Sequence, residues 1–138
     1  MLTYLKDEEE YKELLGTDNV PNDFKNLNIQ ASSYINRNTH GRIDANNIPE
    51  QVQYATCLII DLINEENDKL SKIGNLKSQN IEGWYESYMT ADEIKQEYLN
   101  KKYTVLQEQL WDVIGIDGNP LLYAGVCLLW MIDFLYIK

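Results

Sequence analysis

Two acidic runs and one histidine are the side chains whose types could support chemistry in this sequence. The runs are DEEE at residues 7–10 and NEEND at residues 64–68, and neighbouring carboxylates can serve as general acid and base. Runs of like charge near helix ends are, however, typical of solvated faces. His40 is the sole histidine, and without a cysteine nearby it cannot anchor an ordinary zinc site. RIDANN at residues 42–47 lacks the glycine and terminal glutamate of an EF-hand loop.

The two cysteines, Cys57 and Cys127, both lie in apolar runs and form no CxxC pair. This pattern predicts buried free thiols in a protein of a reducing cytoplasm. The N-terminal stretch MLTYLKDEEEYKELL has no basic region followed by an apolar one, so we expect no signal peptide. No glycine-rich phosphate loop occurs. The sequence therefore predicts no enzyme, no metal and no cofactor.

Length and charge favour one folded, acidic domain. The chain has 138 residues, of which 44% are hydrophobic and 25% charged, enough apolar material for a single core. Its formal net charge is −10. Affinity for phosphate comes from lysine and arginine, so this charge argues against a grip on duplex DNA. An acidic wall can still let DNA pass without binding it.

Helical periodicity predicts a mostly helical fold, a small bundle of about four helices. The first helix covers Asp7–Leu15 and ends at Gly16, because glycine tolerates positive φ. A second helix starts with Asn22 as its N-cap, frays near Asn38 and stops at Gly41.

The third helix is predicted to begin at Pro49 and to end at Gly74. Its residues are apolar almost all round. This is typical of the central helix of a bundle, or of one that also faces a neighbouring subunit.

A short extended loop or hairpin is expected at residues 77–88, before the last long helix. That helix is capped by Thr90 in the sequence T-A-D-E and runs towards Ile114, stopping at Gly115. A turn follows at residues 116–120. The loop contains the candidate contacts to the next ring or to a channel: Ile81, Trp84, Tyr85 and Tyr88.

Residues 121–138 form an apolar C-terminal segment, which we separate from a helical domain at residues 1–120. As a helix, Leu121–Ile137 spans about 25 Å, short of the roughly 30 Å of a bilayer core, and Asp133 would cost roughly 2.5–3.5 kcal/mol there. Packing within the subunit core and docking on a partner are the other two interpretations. Docking is the hypothesis adopted, with these candidate interface residues: Leu121, Leu122, Tyr123, Val126, Leu128, Leu129, Trp130, Ile132, Phe134 and Leu135.

Four stretches in this order resemble the head–tail connector (adaptor) family of long-tailed bacteriophages. They are YKELLGTDNVPNDFKNLNIQASSYINRNTHGRI with its Thr-x-Gly-Arg ending, IPEQVQYATCLIIDLI, SQNIEGWYESY and LLYAGV. In the last, Ala124 stands where a basic residue is common in the family. The segment Lys101–Pro120 is longer than the family pattern, and CLLWMIDFLYIK extends beyond it.

The resemblance implies a structural virion protein with no catalytic, metal or cofactor site. Subunits of this family are mostly helical and assemble, typically twelve to a ring, beneath the portal. The implied partners are the portal protein, copies of the chain itself, and the next connector, stopper or tail protein. DNA would pass through the ring without specific binding, and no membrane is involved. The implied location is the virion neck, after assembly in the host cytoplasm.

Two other functions are consistent with the sequence. One is a small acidic binding protein with a membrane-associated C-terminus. The other, suggested only by the charge, is an inhibitor that mimics DNA.

Overall fold

The computed structural model describes residues 2–79 and 91–123. Within those ranges the chain forms four helices packed together, with no sheet. The predicted mostly helical fold of about four helices is confirmed. The helices are α1 (Glu8–Leu15), α2 (Phe24–Asn38), α3 (Glu50–Gln79) and α4 (Ala91–Leu110).

Helix α1 ends at Leu15 before Gly16, as its sequence predicts, and starts at Glu8, one residue after the predicted start, with Asp7 as its N-cap. The Asp7 carboxylate accepts a hydrogen bond from the Glu10 N–H at 3.1 Å, and the Glu10 carboxylate accepts one from the Lys6 N–H at 3.0 Å. Both bonds satisfy donors that a helix start leaves open. Gly16 takes a left-handed φ of +64° and closes the helix through its bond to the Lys12 carbonyl.

Helix α2 starts one residue later than predicted, and its N-cap is Asp23 rather than Asn22. The Asp23 carbonyl accepts the first helical bond, from the Leu27 N–H at 3.0 Å. Its carboxylate caps no backbone N–H and instead accepts a hydrogen bond from the Asn26 side-chain amide. Several polar residues precede this helix, and their types alone did not show which one is the N-cap.

The end of α2 is a left-handed turn, as the glycine predicts. His40 and Gly41 have φ values of +56° and +70°, and the Gly41 N–H bonds back to the Asn36 carbonyl at 3.1 Å. The Thr39 hydroxyl donates to the Ile35 carbonyl at 2.8 Å. This turn reverses the chain immediately before Arg42.

Helix α3 is the central helix of the bundle and contacts the three others. It begins at Glu50, and the Pro49 carbonyl accepts from the Gln53 N–H. The prediction that it ends at Gly74 is wrong, because it continues to Gln79. Glycine costs about 1 kcal/mol in a helix interior without forcing a stop. Residues 77–79 of the predicted extended loop are therefore helical, and residues 80–90 lie outside the described residues.

The apolar surface of α3 is buried almost all round over residues 52–63, as predicted for a central helix, whereas residues 64–73 are mostly exposed. Its fully buried side chains include Val52, Ala55, Cys57, Ile59 and Ile60. They share one core with α1, α2 and the C-terminal half of α4.

Helix α4 ends at Leu110, one turn short of the predicted end near Ile114. The Val113 N–H bonds to the Leu110 carbonyl, which starts a closed loop instead of a further helical turn. Within this loop, which we call the C-terminal loop (residues 113–121), Ile114 pairs with Pro120 and the Leu121 N–H donates to the Val113 carbonyl at 2.8 Å. The loop buries Val113 and Leu121 together in the core, and this tertiary gain replaces helix continuation.

Tyr11 and Asp61 join α1 to α3 through a hydrogen bond from the Tyr11 hydroxyl to the Asp61 carboxylate. The Tyr11 ring also meets Phe24 edge to face at 5.6 Å, so the same residue connects three elements. Burial raises the pKa of Asp61, an effect that the Tyr11 hydrogen bond opposes and the nearby Glu65 strengthens. Burial and the Asp61 carboxylate likewise raise the pKa of Tyr11.

The first prediction concerns the core line of α4. Leu106 is fully buried, whereas Leu99 on the same helix is 47% exposed. We expect Leu106→Ala to lower the free energy of unfolding by about 2–5 kcal/mol, since it loses apolar burial and leaves a cavity. The matched control Leu99→Ala should change it by about 0.5 kcal/mol or less. Urea unfolding followed by circular dichroism measures both, and equal losses would contradict this assignment of the core.

The second prediction concerns Asp61. Because its folded pKa lies above the unfolded value, its ionisation opposes folding. Its contribution to stability is therefore largest below the unfolded pKa and falls as pH rises through the folded pKa. Asp61→Asn keeps an acceptor for Tyr11 and removes the charge, so it should remove that decline. The exposed control Asp112→Asn should retain it. Urea midpoints between acidic and neutral pH test this, and identical pH profiles of wild type and Asp61→Asn would refute it.

Candidate functional site at the base of the C-terminal segment

Arg42 follows the left-handed turn at the end of α2 and faces the C-terminal loop. Its own backbone is part of the contact: the Ile116 N–H donates to the Arg42 carbonyl at 2.9 Å, and the Arg42 N–H donates to the Thr39 carbonyl at 3.1 Å. The turn at residues 39–42 and the loop at residues 113–121 are therefore held side by side, although more than seventy residues separate them in sequence.

The Arg42 guanidinium donates hydrogen bonds to acceptors of the C-terminal loop and of the residues that follow it. Its Nε donates to the Asp117 carboxylate at 2.9 Å, and its Nη1 donates to the carbonyls of Pro120 at 3.1 Å, Leu121 at 3.2 Å and Tyr123. The same group lies 5.2 Å from the centre of the Tyr123 ring, in cation–π geometry. The Arg42 side chain is only 12% exposed. We call this set of contacts the Arg42 anchor.

Gly115 allows the close approach on which the Arg42 anchor depends. A Cβ atom at this position would lie 2.5 Å from the Arg42 Cβ and 3.0 Å from the Arg42 carbonyl oxygen. Contacts that short do not fit, so a side chain at residue 115 would push the loop away from Arg42. The sequence suggested Gly115 only as a helix stop. In the structure, the absence of a side chain at Gly115 lets Arg42 pack against the loop.

Asp117 is held in its ionised form by the loop around it. The backbone N–H of Asn119 donates to the carboxylate at 3.0 Å, the Asn119 side-chain amide adds a second bond at 3.2 Å, and Arg42 adds the third. These donors lower the pKa of Asp117, with the Asn119 backbone bond as the largest cause. The carboxylate therefore stabilises the turn above its unfolded pKa and loses that effect as pH falls through the folded value.

The chemistry of the Arg42 anchor is that of a structural clamp. An arginine fork that binds several carbonyls fixes backbone direction, and here it fixes the backbone of residues 120–123. Cys57 is fully buried, and burial raises the pKa of its thiol to about 12, so it stays protonated, as predicted for a free core thiol. Cys127 lies outside the described residues. Within residues 2–79 and 91–123 no cluster of three or more histidine, cysteine or acidic side chains could hold a metal ion.

The predicted docking residues divide into two groups. Leu121 is 1% exposed and packs in the core of its own subunit, so the first residue of the proposed docking segment belongs structurally to the helical domain. Leu122 and Tyr123 are half-buried at the Arg42 anchor. The remaining candidates lie outside the described residues: Val126, Leu128, Leu129, Trp130, Ile132, Phe134 and Leu135 in the tail, and Ile81, Trp84, Tyr85 and Tyr88 in the loop.

Exposed apolar side chains follow α4, two of them beside the Arg42 anchor, and sequence reasoning missed them. Trp111, Ile114 and Ile116 are 70%, 57% and 69% exposed. Ile114 and Ile116 line a shallow groove beside Arg42 that Pro49 also borders. The signal was hidden because the period of α4 assigned Ile114 to a helix face, whereas the C-terminal loop turns it outward.

Among the residues that the structure describes, no helix is long and apolar enough to span a bilayer. Comparison with known proteins gives no family assignment, since no protein-family model, no curated protein and no solved structure matches the chain.

The third prediction concerns Arg42. Arg42→Gln removes the donors to Asp117 and to the departing carbonyls, and we expect it to lower the free energy of unfolding by about 1.5–3 kcal/mol. Amide hydrogen exchange should become faster at Leu121 and Tyr123, while the core of α3 keeps its protection.

Asp117→Asn is the matched control, because it removes the ion pair with Arg42 and leaves the carbonyl contacts. Its effect on exchange at Leu121 and Tyr123 should be clearly smaller. Unchanged exchange at both amides in Arg42→Gln would contradict the role of the anchor.

Proposed function

We propose that the chain is a structural virion protein, a head–tail connector subunit of long-tailed bacteriophages. It would oligomerise as a ring, typically of twelve subunits, beneath the portal and link the head to the next connector, stopper or tail protein. The observation that carries this proposal is the Arg42 anchor. It joins the Thr-x-Gly-Arg ending at residues 39–42 to LLY at residues 121–123, two of the stretches on which the resemblance rests.

The contact supports the proposal because both stretches then serve to fix the backbone direction of the chain at residues 121–123. A fixed direction for the chain at residue 123 is useful if something beyond that residue must reach a defined place. Residues 124–138, AGVCLLWMIDFLYIK, carry large apolar side chains that gain free energy on burial. In the proposed function Arg42 aims this segment at the portal or at a neighbouring subunit.

Assembly into a ring explains how a short apolar segment could bind a partner tightly enough. Burying each large apolar side chain contributes about 1.5–3 kcal/mol, while ordering a flexible segment costs about 1–2 kcal/mol per residue. One segment alone therefore binds weakly. Copies joined in a ring bind with higher avidity, because each later contact is intramolecular.

The charge of the chain is consistent with a DNA channel. With 22 acidic and 12 basic residues, a ring of this subunit would repel phosphate and let DNA slide during exit. In this proposal DNA passes without specific binding, and the protein works in the virion neck after assembly in the host cytoplasm.

The fourth prediction is a co-sedimentation test with the portal protein of the same genome in detergent-free buffer. The full chain should travel with the portal ring. A chain ending at Tyr123, which keeps every core residue that the structure describes and the whole anchor, should stay in the supernatant while its circular dichroism remains helical. Arg42→Gln, with an intact but poorly directed segment, should bind the portal more weakly than the full chain.

Three outcomes separate the possibilities. Binding by both chains would support the connector proposal and would mean that the C-terminal segment packs in the subunit core or on a neighbouring subunit instead of docking on the portal. Binding by neither would reject the connector proposal. If in that case the full chain pellets with added liposomes, the protein is instead an acidic binding protein with a membrane-associated C-terminus.

A further inference from the structure

A groove between α2, α3 and α4 carries positive charge on an otherwise acidic chain. It has a volume of about 390 Å³, and residues of all three helices line it. Its charged members are Arg37 from α2, Lys102 from α4 and one acid, Glu66 from α3. The lining therefore has a net charge of +1, against −10 for the whole chain. We call this surface the basic groove.

The two cationic side chains of the groove differ in the contacts that they already make. Lys102 lies 5.1 Å from the centre of the Tyr34 ring and 3.9 Å from the Glu66 carboxylate, and its side chain is 17% exposed. Arg37 stands exposed at the rim, and within the described residues no hydrogen bond or salt bridge occupies its guanidinium. Gln30 and Ser33 add further side-chain donors to the same lining. The groove thus offers a fork of donors beside a half-buried ammonium, an arrangement that suits a carboxylate-rich segment.

The chain also exposes a segment of the matching sign. Asp7, Glu8 and Glu9 are exposed at the start of α1. In this run the Asp7 carboxylate caps the helix and Glu9 pairs with Lys12 at 3.5 Å. Glu8 is exposed, and within residues 2–79 and 91–123 its carboxylate forms no hydrogen bond or ion pair. We call residues 7–10 the acidic run.

The acidic run of a subunit does not face the basic groove of the same subunit. The N-terminal segment packs on one side of α2, where the Tyr4 N–H donates to Ser32 and the Asn28 amide donates to the Leu5 carbonyl. Gln30, Tyr34 and Arg37 lie roughly 120–180° away from Asn28 and Ser32 around the helix, at about 100° per residue. The Tyr11–Asp61 hydrogen bond holds α1 against α3 at Asp61, which does not line the basic groove.

We propose that the basic groove receives the acidic run of a second copy of this chain. The interface is heterologous, because each copy contributes the groove on one side and the run on the other. Such a contact repeats from copy to copy, and it closes into a ring when the rotation between copies allows. The inference rests on the proposed function for its biological role, and it names the surfaces by which neighbouring subunits meet.

Sedimentation velocity on the purified full chain, with no portal present, tests this proposal. Wild type should associate with rising concentration in low salt, and high salt should weaken that association, because the contact joins opposite charges. Arg37→Glu should weaken association by about tenfold or more. Glu8→Gln combined with Glu9→Gln should do the same from the other side. Lys25→Glu is the matched control: it makes the same charge change at an exposed position of α2 outside the groove, and it should associate about as well as wild type, and so about tenfold or more better than Arg37→Glu.

Mixing the two defective proteins gives the decisive result. Arg37→Glu keeps an intact acidic run, and the glutamine double variant keeps an intact basic groove. One copy of each should therefore form a one-to-one dimer that grows no further. Failure of this dimer to form, equal association of Arg37→Glu and Lys25→Glu, or a wild type that stays monomeric throughout would overturn the inference. Portal binding by the full chain in the separate co-sedimentation test decides the proposed function independently.

Discussion

Burial of residues 52–63 of α3 on nearly every side is the constraint on which the rest of this structure depends. Cys57, Ile59 and Ile60 are fully buried, so apolar surface covers this helix on several faces at once. A helix of that kind has no stable place at a surface, and α1, α2 and the C-terminal half of α4 must all pack against it. The loss of any one of these partners would expose part of α3 to water.

Polar contacts then decide how the surrounding elements are arranged around α3. Tyr11 places α1 by donating to Asp61, and Arg42 places the C-terminal loop by binding its carbonyls. Hydrophobic burial has little directional preference, whereas these bonds accept one geometry. The combination gives a core that supplies the free energy and a few buried polar groups that set direction.

The proposed function depends on surfaces for association. The Arg42 anchor holds residues 120–123, Ile114 and Ile116 are exposed beside it, and a basic groove lies between α2, α3 and α4. Exposed apolar rims and charge-complementary patches are features of proteins that work by association. A connector that transmits position between two larger assemblies needs such surfaces on a rigid frame, and the proposed function uses them in that way.

The sequence by itself determined the helical class, the central position of α3, the C-terminal end of α1 and the buried state of Cys57. Each of these follows from local period, capping or composition, which act within a few residues of the chain. It misplaced the end of α3, the end of α4 and the N-cap of α2, where local preference is weak. Glycine within a helix costs only about 1 kcal/mol, so Gly74 could not end α3. Only tertiary structure decided that α4 stops at Leu110, that Gly115 makes room for Arg42, and that Arg42 holds the chain at Tyr123. These contacts join residues more than seventy positions apart, and no local pattern encodes which distant carbonyl an arginine will meet.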